Sequence, residues 1–592
     1  MPKKKVTAPN EIDDVRLWLN RVKWAETVRD KADKKFGYSS SQRMYEGDWK
    51  SVLPSWLRNA DLIPINEVYS YVKAFVPSVF TRNPHISFNP KGAKSVAKSK
   101  ILELATNGFW RELKIKRQIK RAIFDAIMAE GWIKVGFTSA MGTVDTKDGD
   151  PELHSSEFVR DEEIFCTRVS WRHMVRDPDA VDGIHDARWV AQKLILPLDA
   201  VVSSSLYTNK EISPTIISNR TGNKKNQPSR QGLEDEQFVE IWEIYDRDTM
   251  KVYAVSEGAE GWMWEPKDWP NELETFPYVF LQFNDNEDEA YAPNLIDPWV
   301  PLLFEKIKIR AMQLDHIKRY NRQLWAKAGT IPKAEQDKFA KGQTGALNFY
   351  SGEKPPEAAT YPPIQTDIYA IEGRLDLDKD NVSGQPNAVR SAPQRTQSRT
   401  LGEIDRLISS FQARQTDPAG RVEDFSADIA YLLAANIKQY LPGKKWVQAT
   451  NREFNEIAEA LGRDRFDGRG FIFSKAEIKG AEFEVDVKVG SSLPLDSQGR
   501  MESMFTMLKL GPSIGVNPNT ETSFVIGKNL FQEFGIKEIE LAYEKEITNI
   551  RAKQEALKAA KRTQAEENVR KARDLEAREA ERVASGDGAG PV

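Results

Sequence analysis

Cysteine is almost absent: Cys166 is the only one in 592 residues. That excludes a disulfide framework and fits a reducing compartment. Histidine is also scarce. His85, His154, His173, His185 and His316 are scattered, and Cys166 has no nearby histidine in sequence to activate it. No GxxxxGK[ST], HExxH, GxSxG or CxxC is present, so the sequence gives no phosphate loop, zinc site or nucleophile elbow, and no enzyme is expected. No run approaches the roughly 18 apolar residues of a membrane span. The opening "MPKKKVTAPNEIDD" lacks an apolar core, so no signal peptide is expected. A large charge of either sign is missing too. The net charge is −3, so any affinity for nucleic acid has to come from local patches.

What is present is ordinary core-forming material. Hydrophobic residues make up 40% and charged residues 29%, with 15 tryptophans and 27 phenylalanines, which rules out wholesale disorder. Length alone suggests roughly three or four structural units. No repeat with a period of roughly 20–50 residues is visible.

Along the chain, residues 11–36 read as a helix with Ile12, Val15, Leu19 and Val22 on one stripe. "INEVYSYVKAFVPSVFTRNPHISFNP" (65–90) reads as a helix ending near Pro77, a turn and a strand. A further helix is expected through about 98–129, stopped by Gly131 before the strand "WIKVGF". From there to Asn286 the signals are mostly β, interrupted by a polar insertion at 203–235 expected to be mobile. At Pro298 the pattern becomes helical. Leu303, Ile307, Leu314, Ile317 and Leu324 form a stripe, while Lys306, Lys308, Arg310, Lys318, Arg319 and Arg322 occupy the other faces. A Gly- and Pro-rich excursion (329–363) precedes a second helix at 364–380.

Then comes "SGQPNAVRSAPQRTQSRT" (383–400). From Asn381 to Gly402 there is no carboxylate, yet Arg390, Arg395 and Arg399 appear with Gln394 and Gln397 among them. Such a loop suits a polyanionic neighbour, because arginines neutralise phosphates without reading base sequence. It equally suits a plain solvated linker. Thr400-Leu401-Gly402-Glu403 is a capping box that starts a helix. Its apolar face runs from Ile404, Leu407, Ile408 and Phe411 to Val422, Phe425, Ile429, Leu432 and Leu433. Pro418 should kink or restart it. "AEFEVDVKVGSSLP" (481–494) alternates as a strand, 536–583 reads as one long helix, and 584–592 should be disordered.

One cluster admits metal chemistry. Asp177, Asp179, Asp182, His185 and Asp186 fall within ten positions, and oxygen-rich clusters can hold a hard divalent cation. The spacing fits no EF-hand, and Asp-Pro and Asp-Gly pairs are also turn chemistry. Two other classes therefore stay open. One is a divalent-metal phosphoesterase on these aspartates. The other is a DNA-binding or coiled-coil scaffold using the terminal helices without a closed ring.

In this order the segments resemble the portal (head-to-tail connector) proteins of tailed bacteriophages, from about residue 62 to about 510. "IPINEVYSYVKAFVPSVFTRNPHISFNP" resembles the family's early helix, turn and strand, and "AIFDAIMAEGWIKVGF" its helix-to-strand passage. "RVSWRHMVRDPDA" resembles the strand leading to an Asp-Pro turn, and "APNLIDPWVPLLFEKIKIRAMQLDHIKRYNR" the first stem helix. "SRTLGEIDRLISSFQAR" resembles the helix after the tunnel loop, and "EVDVKVGSSLP" the following strand. The resemblance implies an α+β multidomain subunit in a ring of about twelve copies around a channel for double-stranded DNA. Residues 1–61 would be an N-terminal helical arm, 62–290 the wing, 291–328 and 364–381 the stem helices, and 329–363 the clip. Residues 382–399 would be the tunnel loop, 400–494 the long helix and return to the wing, and 495–583 a helical crown. The 203–235 insertion has no counterpart in the family pattern, and the second stem helix is short and contains Gly373. Arg390, Gln394, Arg395, Gln397 and Arg399 would face DNA, and the stem cations would face the channel or neighbouring subunits. The implied partners are the terminase large subunit, head-completion or tail adaptors, and capsid or scaffolding protein. No cofactor is implied. The expected location is the virion's portal vertex, and the host cytoplasm during assembly.

Overall fold

The computed structural model describes residues 11–58, 64–84, 86–92, 95–143, 157–204, 206–218, 236–269, 275–320, 323–330, 332–333, 346–351, 353, 366–385, 401–441, 444–449, 457, 467 and 469–487. Beyond these, only 552, 556–557, 561, 564 and 568–578 are described. Residues 1–494 form one compact unit and 495–592 another.

The first unit is α+β and layered, and the layers follow from period-2 alternation in its strands. Strands β2 (Gly131–Thr143), β3 (Glu157–Val169) and β10 (Tyr278–Leu281) make an antiparallel sheet in the order β10-β2-β3. A larger antiparallel sheet has the order β4-β5-β7-β8-β9. Its strands are β4 (Met174–Arg176), β5 (Trp189–Pro197), β7 (Glu236–Asp246), β8 (Lys251–Val255) and β9 (Trp264–Asp268). The sheets share one core. Trp132, Val169 and Tyr278 from the smaller meet Val190, Val239, Ile241 and Tyr245 from the larger. Alternate residues of the larger sheet, Trp189, Ala191, Trp242 and Ile244, face outward and would be wet without a cover.

The cover is α1 (Glu11–Phe36), which lays Val15, Trp18, Val22 and Ala25 on that face. The N-terminal segment is thus a packed layer of the unit, where an arm was expected. The insertion also differs from expectation. Residues 216–218 form β6 (Ile216–Ser218) against β7, and Tyr207 is buried in the shared core. Tyr207 and the Ile216-Ile217 pair supply apolar anchors that the polar average of 203–235 concealed. Residues 219–235 lie outside the described residues.

The other face of the smaller sheet (Ile133, Val135, Ile164, Cys166, Val279, Leu281) packs on helices in the largest core. After α2 (Tyr38–Glu46), α3 (Trp49–Val52) and α4 (Ser55–Arg58) come α5 (Glu67–Val79), α6 (Val96–Glu112) and α7 (Ile115–Met128). A single helix was expected over 98–129. The chain instead breaks at Leu113–Lys114, where Lys114 takes a left-handed φ of 52°, and each helix then turns its own apolar stripe inward. Gly131 begins β2 so close to α7 that a Cβ there would lie 2.4 Å from the Ala122 carbonyl oxygen. A short helix, α8 (Leu198–Ser203), follows β5.

Candidate functional site

Asn294, ahead of the long helix that follows, is buried and fastens three elements. Its amide nitrogen donates to Ser41 Oγ and the Met128 carbonyl, and its oxygen accepts from the Ile296 N–H. Trp299, also buried, packs on Tyr71 of α5 with ring centroids 5.3 Å apart. From there α9 (Val300–Tyr320) departs with Leu303 and Ile307 in the core. Strands β11 (Gln323–Lys327) and β12 (Ala346–Tyr350) then pair in parallel, and α10 (Thr366–Ser383) returns alongside α9. The contacts Lys306–Asp376 and Gln313–Glu372 run in opposite directions along the two helices, so they are antiparallel.

An ion network ties this hairpin to α5. Glu67, in the first turn of α5, bridges Lys306 of α9 and Lys379 of α10, and both lysines also meet Asp376. The Lys379 side chain is only 3% exposed. Burial pushes the Glu67 carboxyl up, but Lys379 and Lys306 outweigh it and hold the group below the usual glutamate range. Asp376 is held low in the same way, against its burial, by Lys306 and Lys379. Burial pulls Lys306 down, while Asp376 and Glu67 raise it further, to above the usual lysine range. The position of Glu67 at a helix N-terminus adds the macrodipole to that balance.

After α10, Arg414 donates to the Asn381 carbonyl at 2.7 Å and pins the end of the hairpin beside α11 (Leu401–Tyr440). Pro418 lies inside α11, which does not restart there. Phe411, Val422, Phe425, Ile429, Leu432 and Leu433 are buried as the apolar stripe required. The chain then makes the hairpin of β13 (Lys444–Gln448) and β14 (Gly470–Ser474), and α12 (Lys475–Ile478) follows. Strand β15 (Phe483–Val487) pairs antiparallel with β1 (Ile86–Pro90), a pairing that brings the chain back beside its early segment.

The expected site residues fare unequally. Lys306, expected at a channel or subunit interface, pairs with Glu67 and Asp376 within its own chain. Lys308 is exposed and Arg310 half-buried on α9. Lys318 and Arg319 lie in α9 with side chains outside the described residues, as does all of Arg322. The helix ends at Tyr320, so Leu324 belongs to β11 and not to the stem stripe. Arg390, Gln394, Arg395, Gln397 and Arg399 also lie outside the described residues.

The aspartates of the candidate metal cluster are parts of a turn. Both Asp177 oxygens accept from Arg188, and Asp179 pairs with the same guanidinium. Asp186 accepts from the Val181 N–H, and the Asp182 carbonyl accepts from the His185 N–H. Burial pushes the Asp177 carboxyl up, and the Arg188 hydrogen bonds overcome that and hold it below the usual aspartate range. Among the described residues no three His, Cys, Asp or Glu side chains are grouped to hold a metal ion, and no helix is long and apolar enough to cross a membrane.

Sequence reading missed a basic surface on α7. Its signal was available: between Glu112 and Asp125 stand Lys114, Lys116, Arg117, Lys120 and Arg121 with no carboxylate. Compared with protein-family models and with curated proteins, the chain matches none.

Proposed function

We propose that the chain is a portal subunit: a structural conduit for double-stranded DNA, assembled as a ring at one capsid vertex, with no chemistry of its own. The observation that carries this reading is the antiparallel hairpin of α9 and α10 with a small β pair between its helices. It stands on a wing to which α11, 40 residues long, and β15 return. On this reading the hairpin would be the stem, the β pair the clip, and α11 and β15 the long helix and closing strand. The ion network suits the same task, since a hairpin that contacts moving DNA and a docking motor has to stay fixed to its wing.

On this reading residues 386–400 bring Arg390, Arg395 and Arg399 into the channel. About a dozen copies turn that weak charge into a girdle that holds DNA in no one register. The terminase large subunit docks transiently at the clip and supplies the ATP chemistry. Adaptor proteins replace it there, and capsid or scaffolding protein surrounds the wing. The test is the triple variant Arg390→Ala, Arg395→Ala, Arg399→Ala. It should assemble like the parent and lose packaged DNA or translocation, whereas normal packaging would overturn the role given to the loop.

A further inference from the structure

A cleft of about 770 Å³ opens between α7, β3 and α2, and its walls are basic. Lys114, Lys116, Arg117, Lys120 and Arg121 line it from one side and Arg168 from the other, against one carboxylate, Asp125. Both Asp125 oxygens are already engaged by Arg168. Among the described residues, neither Lys114, which precedes α7, nor any of the four α7 cations makes an ion pair. They stand as like-charge pairs one turn apart, Lys116 with Lys120 and Arg117 with Arg121, an arrangement that disfavours a helix on its own. Partial burial, with Lys120 and Arg82 nearby, holds Lys116 below the usual lysine range. The helix tolerates this because its opposite side, Ile115, Ile119, Ala122 and Ile123, is buried.

The same unit carries the opposite charge elsewhere. Asp424 and Asp428, one turn apart on α11, line a second cleft of about 390 Å³ with Asp182, Asp186, Asp285 and Glu287. The arginine there, Arg421, is committed to Asp285 and Asp417, and the remaining basic group is His185. The sheet order β10-β2-β3 separates the two surfaces. Arg168 of the basic cleft is on β3, and Phe280 and Leu281 of the acidic one are on β10, the opposite edge. The two oppositely charged surfaces thus lie toward opposite edges of one sheet in the same unit.

We propose that the basic α7 cleft of one copy receives the acidic α11 face of the next, head to tail. The closure of such contacts into a ring rests on the portal reading, since a heterologous interface makes either a ring or an open filament. Nucleic acid is the weaker occupant of the cleft, because it would leave the acidic face unmatched. Charge complementarity between copies satisfies both surfaces at once and sets register and partner choice.

The test uses two full-length variants, Lys116→Glu/Lys120→Glu and Asp424→Lys/Asp428→Lys, with circular dichroism to establish that each is folded. Each alone should associate at least about tenfold more weakly than the parent, the loss expected for a close charge pair. An equimolar mixture should restore assembly, because each reversed surface then meets its complement on the other variant. Parent-like assembly of the single variants, or no rescue on mixing folded variants, overturns the proposal while leaving a ring-forming parent as a portal candidate. Intact assembly with lost, salt-sensitive DNA binding in the α7 variant assigns the cleft to nucleic acid instead. A parent chain that never associates removes the portal reading and this inference together.

Discussion

Glu67→Gln removes the negative charge that joins α5 to α9 and α10 while preserving side-chain shape. The Lys379 ammonium, 3% exposed, then keeps only Asp376, at 3.0 Å, and Lys306 likewise loses its 3.0 Å partner. Breaking a buried pair by removing one partner costs about 3–5 kcal/mol, because the other charge is left uncompensated. With Asp376 retained, the low end applies, about 3 kcal/mol, or roughly a hundredfold in the local opening constant at about 1.4 kcal/mol per decade. The assay is native-state hydrogen exchange of the α10 amides, which reports the local opening of that helix. Exchange should accelerate about a hundredfold in α10 and little in the six-stranded sheet. The pH dependence has a definite sign. Glu67 and Asp376 have folded-state pKa values below their ordinary ones, so their stabilisation is complete above about pH 4.3 and is lost as pH falls through the depressed values. Lys306 is raised, so its contribution holds below the ordinary lysine value and fades only as pH climbs through the higher one. Parent-like exchange in Glu67→Gln, or no acid-induced opening of α10, would refute the claim that this network holds the α9–α10 hairpin.

Three further outcomes are expected. Gly131→Ala should destabilise the first unit by about 1–3 kcal/mol, since backbone has to shift to admit the Cβ, and a chemical-denaturation midpoint equal to the parent's would contradict the close approach of α7 to β2. Cys166, buried and with its thiol pushed up to about 12 by that burial, should resist alkylation near neutral pH until the protein unfolds; rapid labelling of the native chain would show that this core is open. Magnesium, calcium or chelator should leave thermal stability unchanged, because Asp177 and Asp179 are already spent on Arg188; a divalent-dependent melting shift would restore the metal reading.

Local pattern made part of this fold legible. The stripes of α1 and α11 and the alternation of β15 contain their own burial code, so Val15 and Val22, the α11 stripe from Phe411 to Leu433, and Val487 are buried where periodicity places them. Ile12, Ile404, Leu407 and Ile408 have side chains outside the described residues. Interactions between distant segments were not legible. Lys306 looks like any other stem cation until Glu67, 239 residues away in sequence, is brought against it. The break before α7 turns on the backbone of Lys114, a residue type with no marked preference for a left-handed φ. A polar average hid Tyr207 and β6, because a few apolar anchors suffice to dock a segment. The α7 cations were overlooked for the opposite reason: the stripe beneath them reads so clearly as helix that their missing counter-charges drew no notice.

The most direct measurement is the mass of the purified full-length assembly, with class-averaged electron microscopy of the same sample. With a chain mass of 67.2 kDa, about twelve copies give about 0.8 MDa. A closed ring of that mass with an axial hole is the predicted result. A chain that remains monomeric or dimeric, or that forms open filaments without an axial channel, would contradict the portal assignment.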